Sequence, residues 1–336
     1  MYNGTSNLIR DNIFEMVTNV FGLNISSFTQ IDIGYMNSKW KIKTDKGDLF
    51  VKQYNKTRYP EQKIQELETS LNLQSKLHRE GVPCPELFSY KDEYIIKTSD
   101  DERFVLMEFC EGENIKAGTA NIEQMYSLGK IIGSMHKILN GHCSVKLPLH
   151  WDVWSKERMI ENWQERWEEA ISLGCEDTLS KLEIQKKIIE KSDIDIFSQC
   201  EKGWGHWDLF VDNILFETNR VSAILDFDRM HYVYPEFDIS RPILSCCLEN
   251  GEICMDGVSA FVKGYQENQP LTIQKLIRSI RLTWWKEAEW VRAENTYNSS
   301  PLKRFSKENI WIADNWDDLE GIFADIVPRR INALFC

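Results

Sequence analysis

Between residues 203 and 228 the chain reads Gly203-Trp204-Gly205-His206-Trp207-Asp208-Leu209-Phe210-Val211-Asp212-Asn213-Ile214-Leu215-Phe216 and, after a short interval, Ile224-Leu225-Asp226-Phe227-Asp228. The opening Gly203-Trp204-Gly205 reads as a loop, so His206, Asp208 and Asn213 are carried on it. Asn213 stands at the mouth of one apolar run and Asp226 at the end of the next. Glu217-Thr218-Asn219-Arg220 joins the two as a turn. If the runs pair as a hairpin, Asn213 and Asp226 come to one edge with Asp208 facing both. One amide oxygen with one or two carboxylates is the ligand set of a hard divalent cation such as Mg²⁺. A further carboxylate outside that set can accept the proton of an attacking hydroxyl. Asp-x-x-x-x-Asn followed thirteen residues later by a second Asp is an order used for phosphoryl transfer. Asp and Asn in loops usually serve turns, but here order, spacing and flanking apolar runs agree.

The elements that must hold these groups follow from periodicity. Residues 1–22 read as a helix, with Ile9, Ile13, Met16, Val17 and Val20 at helical spacing. From Ile31 the period becomes two. Lys39, Lys41 and Lys43 alternate with Trp40, Ile42 and Thr44, which predicts a half-buried strand with the three lysines on its solvated face. Asp45-Lys46-Gly47-Asp48 is a tight turn and 49–54 the return strand. Lys52 shares its strand face with Phe50 and Tyr54, where a bare ammonium is expensive to bury, so it requires an anion. Pro60 can open a helix that Ile64, Leu67, Leu71 and Leu77 carry to Gly81. Short strands are expected at 94–97 and 104–109, and the polar break from Cys110 to Glu113 is taken as a domain boundary. That gives a domain over 1–110 and a helical one over 111–336, whose only strand-like pair is 213–216 and 221–227. The plan is α+β, a small sheet-rich part followed by a larger helical part.

His-x-Asp-x-x-x-x-Asn running through an aliphatic stretch into Asp-Phe-Asp resembles the aminoglycoside phosphotransferase and choline kinase-like family. Type II homoserine kinases and spore-coat kinase-like proteins belong to the same group. The resemblance implies a two-lobed protein kinase-like fold, with a small antiparallel-sheet N-lobe and a larger helical C-lobe, and it implies ATP and Mg²⁺ as cofactors. It makes Asp208 the catalytic base, Asn213 and Asp226 the metal ligands, and His206 a brace of the loop. Val51-Lys52 resembles the family's strand-three lysine, whose partner would be a glutamate on the next helix. Glu66 is expected in that role, as its distance from Gly81 matches type II homoserine kinases, and Glu68 competes. The stretch from Gly34 to Ser38 and Lys39 resembles the family's short nucleotide loop. Glu108 to Cys110 resembles the interlobe hinge, whose backbone would meet the adenine edge. Met135-His136 and Phe237-Asp238-Ile239 resemble structural signatures. Trp207 stands where the family commonly has Gly, either walling a substrate pocket or packing beneath it.

Composition limits the partners. Among 336 residues, 40 Lys and Arg face 52 Asp and Glu, a net charge of −12, which disfavours nucleic acid and anionic membranes. No run approaches the length of a membrane span, the start does not read as a signal peptide, and the nine scattered cysteines fit a reducing cytoplasm. The acidic balance, Asp228 beside the metal ligand, and Glu287, Glu289 and Glu294 near Trp284, Trp285 and Trp290 favour an amine-bearing small-molecule alcohol as phosphate acceptor. Aminoglycosides, amino alcohols and homoserine qualify. The reaction expected is an ATP-dependent phosphotransfer. The competing readings are a protein kinase, which lacks support from a Gly-rich triplet or an Ala-Pro-Glu segment, and a catalytically silent kinase-like binding or spore-coat protein.

Overall fold

The computed structural model describes residues 2–32, 37–141, 146–293 and 300–326. The chain divides into two compact units, Met1–Gly112 with Ser222–Arg229, and Glu113–Val221 with Met230–Cys336. The boundary thus falls two residues beyond the expected one. The return of residues 222–229 to the first unit corrects the sequence-based division, which treated each domain as one continuous piece.

The first unit runs α1 (Tyr2–Phe21), β1 (Ile25–Gln30), β2 (Lys39–Thr44), β3 (Gly47–Tyr54), α2 (Glu61–Arg79), β4 (Leu87–Phe88), β5 (Ile96–Lys97) and β6 (Arg103–Glu108). The strands form one antiparallel sheet in the order β1-β2-β3-β6-β4, with β5 also on β6. Its two faces follow from the alternation in sequence. Trp40, Ile42, Leu49, Val51, Phe104 and Leu106 point to one side, where Ile13 and Val17 of α1 bury them. Tyr54 and Val105 point to the other, where Tyr59 and Leu67 and Leu71 of α2 close over them. Strand β1 escaped the periodicity reading because Ile25-Ser-Ser-Phe-Thr-Gln is almost wholly exposed. It is an edge strand, with no buried face to impose alternation. Pro60 is the N-cap of α2, in extended backbone, as an N-terminal proline allows.

The second unit contains α3 (Ile122–Asn140), α4 (Lys156–Ser172), α5 (Glu176–Lys191), β7 (Gly203–Gly205), β8 (Ile214–Glu217), the start of β9 (Arg220–Ile224), β10 (His231–Val233), α6 (Phe237–Cys247), β11 (Leu248–Glu249), β12 (Glu252–Ile253), α7 (Met255–Gln266), α8 (Ile273–Glu287), α9 (Ser300–Asp314) and α10 (Leu319–Ile322). Helix α3 begins with a capping box, in which Asn121 accepts from the Gln124 amide and Gln124 accepts from the Asn121 amide. It then lies so close to α7 that a Cβ on Gly129 would stand 2.0 Å from the Phe261 carbonyl oxygen. Two pairings, β7 with β10 and β11 with β12, were not expected. Strands of two or three residues are too short for a period to show.

Trp284 and Trp285 are fully buried, so they belong to the core and offer no face to a ligand. Glu287 is buried too, and together with Glu308 it neutralises the buried Arg241. This removes Glu287 from any substrate-binding role, because an isolated buried charge is far costlier than a paired one. Glu294 and Gly34 lie outside the described residues. Among those described, the cysteines are all free thiols, and no helix is long and apolar enough to cross a membrane.

Candidate active site

In the first unit, β3 delivers Lys52 onto the sheet face that α2 covers, opposite Val105 of β6. Its side chain is 6% exposed. The returning segment supplies its anions. Lys52 Nζ donates to Asp226 Oδ1 and to Asp228 Oδ2, both at 2.7 Å. Asp228 also accepts from the hydroxyls of Tyr54, at 3.0 Å, and Tyr59, at 2.9 Å, which meet edge to face at 5.0 Å. Burial alone would depress the ammonium. Asp226, Asp228 and Tyr59 more than reverse this and hold it above the usual lysine value. Burial, then the charge of Asp228, raises Tyr54 and Tyr59, so both stay protonated donors.

The segment is fixed within that unit. The Ile224 amide donates to the Pro83 carbonyl at 2.8 Å, and the 3-10 turn Phe227–Arg229 packs on α2. Asp226 itself sits at φ 60, a conformation that Asp tolerates better than most residues.

The partner expected for Lys52 is not found. Glu66 is exposed on α2, and among the described residues it makes no ion pair with Lys52. Glu68 is committed elsewhere, accepting the amides of Tyr94, at 2.8 Å, and Ile95, at 3.0 Å. The reason is topological: the Asp-Phe-Asp segment brings a second carboxylate, Asp228, to the ammonium. Asp228 is 7% exposed and occupied by three donors, so the geometry gives it a charge-balancing place rather than the substrate contact expected for it.

Lys39 departs from the solvated face assigned to it. It is directly opposite Lys52 in the β2–β3 register and half-buried. Burial, then the neighbouring Lys52 charge, lowers its pKa. Lys41 pairs with Asp48 at 2.8 Å and lies over Phe109, and Lys43 is exposed. The turn carries the signal that was overlooked: with Thr44 opposite Gly47, counting back along both strands places residue 39 against residue 52.

Ser38 lies at the foot of the same hairpin, its carbonyl accepting from the Gln53 amide at 2.9 Å. At the end of β6, the amides of Glu108 and Phe109 donate to the Glu86 and Asp48 carbonyls. Cys110 follows, and burial, then Glu108 nearby, pushes its thiol up to about 12.

In the second unit, the loop after β7 is built around Asp238, at the start of α6. Its buried carboxylate accepts from the His206 amide at 2.5 Å and from the Trp207 amide at 2.8 Å. His136 of α3 stands behind it, with Nε2 3.4 Å from Asp238 Oδ2 and Nδ1 2.9 Å from the Tyr265 hydroxyl. Gly205 is needed beside this carboxylate, since a Cβ there would come within 3.0 Å of Asp238 Oδ2. Asn140 grips Trp204 by both backbone groups.

Beyond Trp207 the chain presents Asp208 and Asn213 together. Asn213 Nδ2 donates to the Asp208 carbonyl at 2.8 Å and to Asp208 Oδ2 at 3.0 Å. With its amide nitrogen so engaged, Asn213 offers its oxygen as an acceptor.

Trp207 has φ 66, the conformation for which glycine is the default. Its indole is buried, against Phe237 at 4.7 Å and Trp151 at 5.8 Å, with Lys286 Nζ 4.7 Å from its centroid. Of the two readings for this residue, that geometry matches packing. The indole contacts offset a backbone cost of about 1–2 kcal/mol.

Comparison with known proteins points one way. The sequence model of a phosphotransferase enzyme family matches residues 27–270. The homoserine kinase of Zymomonas mobilis is 27% identical over 261 residues, covering 74% of this chain and 73% of the relative. Among solved structures, the fold is similar to that of a microcompartment-associated aminopropanol kinase, with TM-score 0.62, 15% identity, and 94% and 99% of the two chains covered. It is also similar to that of a spectinomycin phosphotransferase in complex with ADP and spectinomycin, with TM-score 0.55, 14% identity, and 90% and 98% covered.

Proposed function

This chain belongs to the phosphotransferase enzyme family and is a small-molecule kinase with an α+β, protein kinase-like fold, and from that premise we propose that it moves the γ-phosphoryl group of ATP to a hydroxyl of a small, amine-bearing molecule. The observation that carries this reading is the placement of Lys52. It is an almost fully buried ammonium held by two carboxylates at 2.7 Å on a sheet face with no other need for a charge.

In the reaction, Lys52 neutralises phosphate oxygens. Asp208 orients the acceptor hydroxyl and takes its proton, and the hydrogen bond from Asn213 Nδ2 fixes its carboxylate. The donors present fit Mg²⁺: Asp226 supplies a carboxylate that is 33% exposed and Asn213 an amide oxygen, both hard ligands. When bound, the ion supplies neutralisation of the charge that builds on the phosphates. His206, Asp238 and Gly205 hold the loop, so catalysis rests on positioning and electrostatics. Ser38 and the backbone at Glu108 and Cys110 are the remaining nucleotide contacts proposed, and adenine would face the Cys110 amide.

The acceptor class rests on relatives. Homoserine kinases recur among the similar sequences, and an aminopropanol kinase is among the similar folds; each name describes an alcohol that also bears an amine. ATP consumption measured with homoserine, amino alcohols, aminoglycosides and neutral sugars tests the reading. Turnover is expected with one amine-bearing alcohol and a loss of several powers of ten in Asp208→Ala. Full activity in that variant refutes the assignment.

A further inference from the structure

We infer that Lys39 is a second phosphate-binding cation, acting with Lys52 on the polyphosphate of the nucleotide; this rests on the kinase reading above. Residues directly opposite on neighbouring strands point to the same face, with Cβ atoms about 5 Å apart, and like charges in that relation are unfavourable. The pair Lys39 and Lys52 occupies such positions at the centre of β2 and β3. Lys39 gains little from being there in the protein alone. It is half-buried, and the influences lowering its pKa, burial first and Lys52 next, outweigh the raising influence of Asp226 and Asp228. A polar side chain such as Thr or Asn would satisfy the strand without that penalty.

Charge balance shows what the second ammonium serves. Lys39 and Lys52 are matched by Asp226 and Asp228 in the protein alone. Once Asp226 ligates a divalent cation, the set carries two added positive charges, and Asp228 stays committed to Lys52, Tyr54 and Tyr59. The surplus suits a polyanion carrying several charges on adjacent phosphates, and two ammoniums on one sheet face can engage different phosphates of one chain. A sugar, an amine or a neutral alcohol would leave the surplus uncompensated. The ligand class is therefore a nucleoside polyphosphate with its metal ion.

Titration calorimetry of Lys39→Met with a non-hydrolysable ATP analogue and Mg²⁺ tests this, with adenosine as the phosphate-free control. The analogue is expected to bind roughly tenfold more weakly, adenosine is expected to bind as to the wild type, and Lys39→Arg should restore most of the loss. If Lys39→Met binds the analogue like the wild type while Lys52→Met has lost it, Lys39 is no phosphate ligand and the kinase reading stands. If both variants bind it like the wild type, the kinase reading itself falls. A loss that extends equally to adenosine assigns Lys39 a structural role and overturns the inference.

Discussion

Replacing Asp228 measures how the buried ammonium is held. Lys52 and Asp228 side chains are 6% and 7% exposed, so solvent does little to screen them. At 2.7 Å and an effective dielectric of about 20, the bare attraction is ~6 kcal/mol. Desolvation removes much of that, and breaking one half of a buried pair costs about 3–5 kcal/mol in practice. Asp226 remains on the ammonium, which argues for the lower end. Asp228→Asn keeps an acceptor for Tyr54 and Tyr59 and removes only the charge, so ~2–3 kcal/mol is expected. Asp228→Ala also orphans the buried Tyr54 hydroxyl, adding about 1–3 kcal/mol.

The chain has two units, so a single unfolding midpoint would mix them. Hydrogen exchange at the amides of β3 and β6 reads the sheet locally. In Asp228→Asn these amides are expected to exchange up to about a hundredfold faster. Adding Lys52→Met should recover much of the loss, because removing both members of a buried pair is far milder than removing one. Unchanged exchange in Asp228→Asn, or strictly additive single and double variants, would refute the account of Asp228 as the partner of Lys52.

Other outcomes follow from the same geometry. Glu66→Gln should leave nucleotide affinity and sheet exchange unaltered, since Glu66 is exposed and away from Lys52; calorimetry and hydrogen exchange check this. Gly129→Ala should destabilise the helical unit by several kcal/mol, because its Cβ would meet the Phe261 carbonyl at 2.0 Å; denaturant unfolding followed by tryptophan fluorescence reads that unit, where all tryptophans but Trp40 reside. With its thiol near 12, Cys110 should be only about one part in ten thousand thiolate at pH 8. Its alkylation should therefore quicken about tenfold per pH unit toward that value, and mass spectrometry should find it far slower than at the exposed Cys254. Asp226→Asn should cut turnover by several powers of ten while the protein stays folded, measured by steady-state kinetics beside circular dichroism.

Much of this molecule was legible before any coordinates. The Lys39–Tyr54 hairpin and α2 announced themselves by period, by the Asp45–Asp48 turn and by Pro60. Asp208, Asn213, Asp226 and Lys52 were found by type and spacing. What escaped was whatever depends on residues far apart in the chain. Sequence gives no reason for Asp228, 176 residues from Lys52, to serve as its partner ahead of a glutamate on the adjacent helix. Tyr54 and Tyr59 looked like ordinary core aromatics because their hydroxyl acceptor lay in that distant segment. The Lys39 misassignment was different in kind, since the register that corrects it was present in the turn.

The return of Ser222–Arg229 to the sheet unit also bears on how the chain is made. A ribosome that has finished Gly112 has released every strand of that sheet and both of its helices, yet the acids that neutralise Lys52 are still unsynthesised. The nascent sheet must wait, with a buried ammonium lacking its counter-charges, until the whole of Glu113–Val221 has emerged. Its last step of assembly therefore falls late in synthesis, although its sequence comes first.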